Sequence, residues 1–469
     1  MRLALIDPEE GLGEPRLGLA YLAAYVRKYS KFENKFLILN PRMNIIPELK
    51  KFKPDIIGIS ATSHDYYKVN EFAKKLKKFN VPLIIGGVHI STLPSDFKES
   101  EFDIAVIGEG EDTLLEICEL LNKKRFSKNE LKKVSGIIFR DKKGIKLTKP
   151  RGLIKDIDKI PFPARDLLNL EKYWLNPSSS GKRSLTVRTS RGCPYNCVFC
   201  SAASFWKKCR FNSAEYVAKE ISEVYKKYKI KRIVIGDDLF TVNQERIGKI
   251  INLLEKERIL KYLEFRVEGR ANLINEELCK KLKKMNVDAI DFGLESGSER
   301  VLRYLKGESV KVKDNYNALD LCKKYGFKVC GFFVIGSPME TEKDLEGTER
   351  LLKNPALNEI MVYHLLPYPG TQVWDYALRK NKIKKDLFKK ERKFDGFHED
   401  IALTEKISRE KLKLWFERLK QIAEKKNYKN VKFGLKEIRI ILSRGGLRKI
   451  RKYWYKIPGR LFKIIKYKV

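Results

Sequence analysis

Three cysteines in one short stretch constrain this 469-residue chain more than any other feature of its sequence. They lie in the run Arg191-Gly-Cys-Pro-Tyr-Asn-Cys-Val-Phe-Cys200, at Cys-x3-Cys-x2-Cys spacing. Cysteine thiolates hold iron–sulfur clusters in proteins, and Cys193, Cys197 and Cys200 can ligate three corners of a [4Fe–4S] cube from one loop. No fourth cysteine adjoins the run, so one iron would stay open to a small molecule.

Two other uses of these thiols fit the sequence less well. A structural zinc site needs four ligands, and the nearest fourth candidate, Cys209, lies in a segment rich in Lys and Arg. A disulfide framework is disfavoured because the chain has only eight cysteines and begins with a strand-like segment instead of a signal peptide. The cysteines in apolar periodic segments are expected to be buried small side chains: Cys118, Cys279, Cys322 and Cys330.

The charge of the chain is strongly basic and unevenly spread. Its 98 Lys and Arg against 60 Asp and Glu give a net charge of +38. Residues 425–469 carry sixteen basic residues and one acid, Glu437, a net charge of +15. This excess favours nucleic acid, anionic lipid or phosphorylated partners, although solvated lysines on helix surfaces explain much of it outside the tail.

No apolar run is long enough to predict a transmembrane helix, and reduced thiols predict a cytoplasmic protein.

Residues 1–130 alternate short apolar strands with helical stretches. This order predicts an α/β domain with a doubly wound parallel sheet of the Rossmann-like type. Ligands of such sheets bind at the carboxyl ends of the strands, where this chain has loops rich in Gly, Ser and Thr. The predicted strands cover residues 3–6, 35–39, 56–60, 83–86 and 104–107.

The rest of the chain divides into three parts. Residues 131–182 predict a hairpin with a polar turn at 141–144 and a proline-rich connector at 160–163. Residues 183–385 contain six strand–helix units, and the cysteine run follows the first strand. Residues 386–469 predict a helical and basic C-terminal extension. The six strands are predicted at 185–189, 232–235, 264–267, 289–293, 329–335 and 359–365.

The cysteine run and the blocks after it resemble the radical S-adenosylmethionine (SAM) enzymes. Gly293-Leu-Glu-Ser-Gly297 and Gly331-Phe-Phe-Val-Ile-Gly-Ser-Pro-Met-Glu340 are similar to blocks at the family's fourth and fifth strands. The resemblance implies a partial (β/α)6 barrel and a [4Fe–4S] cluster that cleaves SAM reductively to a 5′-deoxyadenosyl radical. It implies SAM contacts at Phe199, Gly236, Asp237, Asp238, Arg270, Glu295, Ser296 and Ile335.

Three N-terminal segments resemble the cobalamin-binding domain of cobalamin-dependent radical SAM enzymes. They are Glu14-Pro-Arg-Leu-Gly-Leu-Ala-Tyr-Leu22, Ile84-Ile-Gly-Gly-Val-His89 and Val106-Ile-Gly-Glu-Gly-Glu111. The Asp-x-His-x-x-Gly motif that supplies a cobalt ligand in other cobalamin proteins is absent, so a relic domain that serves only as a lid is the alternative. The resemblance implies cobalamin contacts at Leu17, Ser60, Thr62, Gly86, Gly87, His89, Gly108 and Glu109.

With both cofactors, the implied reaction is methyl transfer to an unactivated carbon. The radical removes a hydrogen atom from the substrate, methylcobalamin supplies the methyl group, and a second SAM remethylates the reduced cobalt. A one-electron reductant such as ferredoxin or flavodoxin and a small or lipid-like substrate follow as partners. The alternatives are radical cyclisation or rearrangement without methylation, and a basic RNA-modifying or nucleic-acid-binding protein. The RNA-modifying methylthiotransferases carry three N-terminal cysteines, and the first 117 residues here contain none.

The C-terminal tail predicts a basic amphipathic segment. An apolar stripe with a basic face suits an anionic membrane interface, which would place the protein on the inner face of the membrane. A helix packed on the barrel is the alternative. The stripe consists of Leu447, Ile450, Trp454, Leu461 and Ile465.

Overall fold

The computed structural model describes residues 1–8, 16–40, 43–142, 144–170, 183–390 and 396–430. These residues form two α/β units, each built around its own sheet, which confirms the predicted fold class. The apolar stripe predicted in the tail lies outside the described residues. Among the helices that are described, none combines the length and apolarity needed to cross a bilayer.

The N-terminal unit is a seven-stranded sheet of order β2-β1-β3-β4-β5-β6-β7, whose first five strands are parallel. Leu3 and Leu5 of the first strand pack on one face, and Ala4 and Ile6 pack on the other. Burial on both faces explains why these strands are continuously apolar. The strands are β1 Arg2–Ile6, β2 Lys35–Leu39, β3 Ile56–Ser60, β4 Leu83–Gly86, β5 Ile104–Val106, β6 Ile137–Asp141 and β7 Gly144–Leu147. The helices are α1 Leu17–Tyr29, α2 Ile45–Phe52, α3 Tyr66–Leu76, α4 Val88–Thr92, α5 Glu111–Asn122 and α6 Lys128–Leu131.

The predicted hairpin is part of this sheet. Strand β6 pairs antiparallel with β5, with Ile104 opposite Phe139, and β7 then forms the sheet edge. Ile137, Ile138 and Phe139 are buried by this pairing. The hairpin therefore extends the N-terminal sheet, although its sequence position is that of a connector.

The second unit is, as predicted, a partial barrel of six parallel strands, and their order is β15-β14-β13-β12-β11-β8. Phe265 and Val267 pack outward against the helices, and the alternate residues Arg266 and Glu268 face the lumen. A two-stranded ribbon, β9 with β10, closes the base of the cysteine loop. The strands are β8 Ser184–Val187, β9 Ser190–Arg191, β10 Arg210–Phe211, β11 Arg232–Ile235, β12 Glu264–Gly269, β13 Val287–Glu295, β14 Lys328–Ile335 and β15 Glu359–His364. The helices are α7 Ser201–Trp206, α8 Ala214–Tyr228, α9 Gln244–Lys256, α10 Glu276–Lys284, α11 Glu299–Lys306, α12 Val312–Tyr325, α13 Glu342–Leu352, α14 Gln372–Arg379 and α15 Arg409–Asn430.

A buried ion pair joins the connector to the barrel. Arg165 donates to Glu220 Oε1 at 2.6 Å and to the carbonyl oxygen of Thr186 at 2.8 Å, and both charged side chains are fully buried. Beside it, the backbone N–H of Ala164 donates to the carbonyl of Ala20 in α1 at 3.0 Å. The connector is thus bonded to both units.

The open edge of the barrel is covered by α15. The side-chain amide of Asn427 accepts from the backbone N–H of Ile360 at 2.8 Å and donates to its carbonyl at 2.8 Å. These two bonds take the place of a neighbouring strand along β15. Edge strands with unpaired backbone groups are templates for aggregation, and covering them is a usual protection.

Candidate active site

The cysteine loop lies at the carboxyl end of the barrel strands and is bonded to the barrel backbone. Cys200 N–H donates to the Cys197 carbonyl at 3.0 Å, which closes a tight turn. Val198 donates to the Leu305 carbonyl at 3.0 Å and accepts from Val373 N–H at 3.1 Å. Gly192 has φ +89°, and a Cβ there would lie 2.7 Å from the carbonyl oxygen of Lys208. Only glycine fits this entry to the loop.

The three cysteines of the loop are available as ligands. They are free and half-buried. Within the described part of the chain, no three His, Cys, Asp or Glu side chains converge as the ligands of one ion would. In a [4Fe–4S] cube each cysteine binds a different iron, so these three would hold three of the four irons. Burial raises the pKa of the Cys193 thiol and raises that of Cys200 to about 11, and iron would reverse both shifts because a coordinated thiol is deprotonated.

Arg270 brings a positive charge to the cysteine loop. Its guanidinium lies 3.8 Å from the centroid of the Tyr195 ring, and its Nη1 is 3.6 Å from Cys197 Sγ. Its Nη2 donates to Ser309 Oγ at 3.0 Å, which orients the fork. A cation here would stabilise a thiolate-ligated cluster and an anionic carboxylate beside it. The structure thus places this predicted SAM contact next to the cysteines.

Of the three predicted SAM residues after β11, two support the local backbone and one has an exposed side chain. Asp237 is buried and accepts from the backbone N–H groups of Thr189 and Ser190 at 2.6 and 3.1 Å, so it stabilises the base of the cysteine loop. Gly236 has no room for a side chain, since a Cβ would lie 2.5 Å from a methyl carbon of Thr186. Asp238 has an exposed side chain at the same strand end. We propose that Asp238 faces SAM while Asp237 positions the loop.

At the end of β13, the carboxylate of Glu295 folds back over the strand. Glu295 adopts φ +59°, and its Oε1 lies only 2.2 Å from where a Cβ on Gly293 would stand. Gly293 therefore makes room for Glu295, whose Oε1 is 3.5 Å from Lys306 Nζ. Burial raises the pKa of Glu295. Ser296 is instead fully buried, with its Oγ 3.0 Å from Thr348 Oγ1, and we propose that it positions the turn.

The remaining two predicted SAM residues are apolar, and one of them, Phe199, lies in the cysteine loop itself. Phe199 is partly buried and packs against a cluster of buried residues that includes Leu305, Val334 and Trp374. Ile335 is fully buried at the end of β14. The contact of both residues with SAM stays a prediction.

A buried carboxyl group supports the turn after β14. Glu340 Oε2 accepts from the backbone N–H groups of Gly336 and Ser337 at 2.6 and 3.1 Å. Its Oε1 has no hydrogen-bond partner among the described residues. Burial raises the pKa of Glu340 to about 8, although the two backbone hydrogen bonds act to lower it.

Glu340 is therefore expected to make stability fall as the pH rises. The unfolded chain releases this proton near its ordinary pKa of 4.5, whereas the folded chain keeps it to about 8. Between these values the free energy of unfolding of the wild type should fall by about 1.4 kcal/mol per pH unit relative to that of Glu340→Gln. Above pH 8 the curves of unfolding free energy against pH should run parallel for the two proteins. Anaerobic urea unfolding at several pH values measures the difference. Parallel curves throughout would contradict the assignment.

The predicted cobalamin loops lie together at the carboxyl ends of β3, β4 and β5. Gly87 has φ +100°, and a Cβ there would lie 2.6 Å from the Ala61 carbonyl and 2.8 Å from Ser60 Oγ. Ser91 Oγ donates to the Gly87 carbonyl at 2.8 Å and accepts from Gly108 N–H at 3.0 Å. These bonds hold two glycine loops side by side.

Other predicted cobalamin residues differ in how open they are. Gly108 has φ +81° and no heavy atom within 4 Å of an added Cβ, so the loop faces open space there. Gly86 is nearly as free, since the nearest atom to an added Cβ is Val106 Cβ at 3.9 Å. Thr62 Oγ1 donates to Asp65 at 2.7 Å, and Leu17 is buried at the start of α1. Gly86 and Gly108 thus offer the closest backbone approach to a ligand.

His89 is enclosed by the N-terminal unit. It is fully buried, with Nδ1 3.0 Å from Ser63 Oγ and Nε2 3.1 Å from Asp96 Oδ2. Its ring stacks on Tyr66 at 4.0 Å. Because both nitrogens have protein partners, we propose a supporting role for His89 instead of direct contact with cobalamin.

The two sets of loops meet. Helix α4, which follows the Gly86–Gly87 turn, packs against α7, which follows Cys200. A Cβ on Gly370 would lie 3.1 Å from Thr92 of α4 and 3.2 Å from Ser204 Oγ of α7. His64 Nε2 and Tyr368 Oη form a short hydrogen bond across the same interface. The loops at the carboxyl ends of both sheets therefore lie against one another, and we propose that a shared cleft between them holds the ligands.

Of the four charged residues that pair at this interface, only one was predicted from the sequence as a site residue. Glu109, a predicted cobalamin contact, is paired with Arg191 and Arg210, and Glu111 is paired with Arg191. Arg191 lies two residues before the first cysteine, but no local pattern signals a partner eighty residues earlier. Only co-location of these loops in the fold reveals the contact.

Comparison with known proteins agrees with this geometry. Residues 187–352 match the radical SAM superfamily, and residues 11–118 match the B12 binding domain. The uncharacterised methyltransferase PH0819 of Pyrococcus horikoshii is 35% identical over 385 residues, which cover 80% of each chain. The chain belongs to the cobalamin-dependent radical SAM family. Both predicted resemblances are thereby confirmed, together with the [4Fe–4S] cluster, SAM and cobalamin as the family's cofactors.

Two further relatives of this radical SAM enzyme carry methyltransferase names. Cytidylyl-2-hydroxyethylphosphonate methyltransferase of Streptomyces wedmorensis is 28% identical over 426 residues, which cover 78% of each chain. The radical SAM methyltransferase TsrM of Kitasatospora setae has a similar fold, with a TM-score of 0.67 and 16% identity over 82% of this chain and 77% of that one. As a radical SAM enzyme, the protein requires an external reductant and a small substrate.

Proposed function

We propose that the protein is a cobalamin-dependent C-methyltransferase that acts on an unactivated carbon. The observation that carries this proposal is the packing of α4 on α7, which brings the glycine loops of one sheet against the cysteine loop of the other. A methyl donor and a hydrogen-abstracting centre must reach the same carbon, so their loops must face one cleft. Two distant sites would not support such a reaction.

The chain's own residues divide the work between binding and exclusion of water. Cys193, Cys197 and Cys200 would hold the cluster, Arg270 and Asp238 would orient SAM, and the open backbone at Gly108 would admit cobalamin. When bound, the cluster with SAM supplies a radical that removes a hydrogen atom, and cobalamin supplies a methyl group. The protein's contribution is position and a dry site.

The lumen below the loop offers a place for the substrate. Phe332 stacks with Tyr363 at 6.3 Å between ring centroids, and Met361 and Tyr363 are exposed although they lie on a barrel strand. Deeper in the lumen, Arg266 pairs with Asp291 at 2.7 Å and with Glu359 at 3.1 Å. An apolar wall above a charged floor suits a substrate with an apolar reacting part and a polar end.

Cobalamin binding is tested at Gly108. Replacing it by Trp should lower the affinity for hydroxocobalamin by at least roughly tenfold, about 1.4 kcal/mol, because the indole would fill the open space at the loop. Gly144 is the matched control, since its φ is +104° and it is equally open, but it is the first residue of β7, next to the β6–β7 turn. Absorbance titration should show normal binding by Gly144→Trp, and equal loss in both variants would contradict the assigned site.

Methyl transfer is distinguished from rearrangement with labelled SAM. The anaerobic enzyme, with reductant and cobalamin, is given SAM carrying a deuterated methyl group together with small-molecule and lipid extracts. Methyl transfer puts the labelled methyl group into a product that mass spectrometry detects, and it also releases S-adenosylhomocysteine. Formation of 5′-deoxyadenosine together with an unlabelled rearranged or cyclised product, and without S-adenosylhomocysteine, would instead establish a rearrangement or cyclisation.

The basic tail is proposed to bind anionic membrane surfaces, on the strength of its net charge of +15. The test is liposome partitioning of a chain that ends after Asn430, which keeps the whole of α15 and removes residues 431–469, with 13 basic residues and one acid. We expect that chain to lose binding to anionic vesicles, and unchanged partitioning would refute the proposal.

A further inference from the structure

Two arginines and two glutamates connect the cysteine loop to the cobalamin loop. Arg191 donates to Glu109 Oε1 at 2.6 Å and to Glu111 Oε1 at 2.5 Å. Arg210 lies opposite Arg191 in the two-stranded ribbon and donates to Glu109 Oε2 at 2.8 Å. We call these four residues the Arg–Glu network. Their side chains are only 3% to 13% exposed.

The Arg–Glu network contacts both ends of the cysteine loop. Arg191 enters the loop two residues before Cys193. Trp206 ends the short helix that follows Cys200, and its ring lies 5.6 Å from the guanidinium carbon of Arg191 and 5.8 Å from that of Arg210. Both arginines can therefore interact with the ring face as well as with the carboxylates. Movement of the network would move the whole loop.

At its other end the network is part of the predicted cobalamin loop. Glu109 follows Gly108, the most open of the predicted cobalamin positions, and Glu111 is the first residue of α5. Glu109 Oε2 also accepts from the backbone N–H of Ile154 at 2.8 Å, which ties the same carboxylate to the connector. A single carboxylate thus contacts the two arginines and the connector backbone.

The network is matched in charge and geometry. It pairs two carboxylates with two guanidinium groups, and Arg191 spans both glutamates with separate nitrogens. Such pairs are stronger away from water, and removal of one partner leaves an uncompensated buried charge. The planar fork of arginine also restricts the pairing to one arrangement, unlike a lysine point charge. This combination determines position more than it adds stability.

We propose that the Arg–Glu network sets the spacing between the cluster and cobalamin, with Glu109 and Glu111 as positioning residues. The proposal rests on the proposed function, because it assumes that both cofactors occupy the shared cleft. It gives Glu109 a role other than direct contact with cobalamin. Weakening the network should let the two loops separate without emptying either site.

The test measures magnetic relaxation in the anaerobic holoenzyme. A reduced cluster relaxes fast and speeds the relaxation of nearby cob(II)alamin with a steep, sixth-power dependence on distance. The microwave power that half-saturates the cob(II)alamin signal should therefore be higher with the reduced cluster than in protein without a cluster. At spacings on the order of 10 Å, a loop shift of about 2 Å would lower this enhancement by roughly threefold.

The variants are Glu111→Gln and the double variant Glu109→Gln/Glu111→Gln. Glutamine keeps the shape and the acceptor oxygen but removes the charge, and iron and cobalamin contents are measured alongside. Arg191→Lys keeps the charge but loses the fork, and should give an intermediate enhancement. Glu116→Gln is the control, since Glu116 lies on the same helix as Glu111 and pairs with Arg151 at 2.6 Å on the exposed surface.

The outcomes separate the two proposals. Reduced enhancement in the double variant, with normal cofactor contents and a normal Glu116→Gln, supports the positioning role. Wild-type enhancement in the double variant overturns it, as does an equal decrease in Glu116→Gln. If the wild type itself shows no enhancement, the cofactors are not neighbours, and the proposed function fails with it. If the double variant does not bind both cofactors, the enhancement is read from Glu111→Gln, which leaves Glu109 intact. A reduced enhancement in that variant supports the positioning role, and a wild-type enhancement overturns it.

Discussion

Alanine at Cys193, Cys197 or Cys200 is expected to remove the cluster and SAM cleavage together. Each thiolate holds a different iron, so loss of one leaves two protein ligands and two open irons. Anaerobically reconstituted wild type should contain roughly four irons per chain, and each variant close to none. Formation of 5′-deoxyadenosine should fall below detection in the same samples.

Cys209→Ser provides the matched control for these variants. Cys209 is the cysteine nearest in sequence to the triplet, but its Sγ donates to the Gly192 carbonyl at 3.2 Å. A serine hydroxyl can make the same bond, so this variant should keep its iron and its SAM cleavage. Retained cleavage in an alanine variant would refute the cluster assignment, and lost iron in Cys209→Ser would show that the triplet is incomplete.

Arg165→Met is expected to destabilise the fold by about 3–5 kcal/mol, because it leaves the Glu220 carboxylate buried without its partner. Both side chains are fully buried in the wild type, so water cannot replace the lost guanidinium. The free energy of unfolding is measured by anaerobic urea titration. A midpoint within error of the wild type would show that the pair is unimportant.

The double variant Arg165→Met/Glu220→Leu separates charge from packing. Replacing both members of a buried pair by apolar residues is often neutral or stabilising. The double variant should therefore recover most of the stability lost in Arg165→Met. If it is as unstable as the single variant, packing and not the unpaired carboxylate is the cause.

The parallel strands were predictable because burial on both faces makes them apolar runs. The predicted strand at 232–235 agrees with β11 at both ends. Strand β13 is longer than the prediction at 289–293, since it covers Val287–Glu295. Asp288 and Glu295 stand at its two ends, and their charges interrupt the apolar pattern there. Charged residues near the ends of a strand therefore shorten the predicted strand.

The site was predictable only where a residue's role is local. The cysteine spacing lies within one loop, so it could be read directly from the sequence. The roles of Asp237 and His89 could not, because their partners come from other loops: Thr189 and Ser190 for the first, Ser63 and Asp96 for the second. A sequence motif shows that a polar residue is present, but only the fold shows whether its hydrogen bonds are already used.

The Asn427 amide has a consequence for how the protein associates. It is one side chain that satisfies both backbone groups of Ile360 at the end of an open barrel. A leucine at position 427 would leave that N–H and C=O ready for another strand, and a second barrel offers an identical edge. The variant would then become more prone than the wild type to edge-to-edge association through β15. A single amide thus helps to keep each barrel separate.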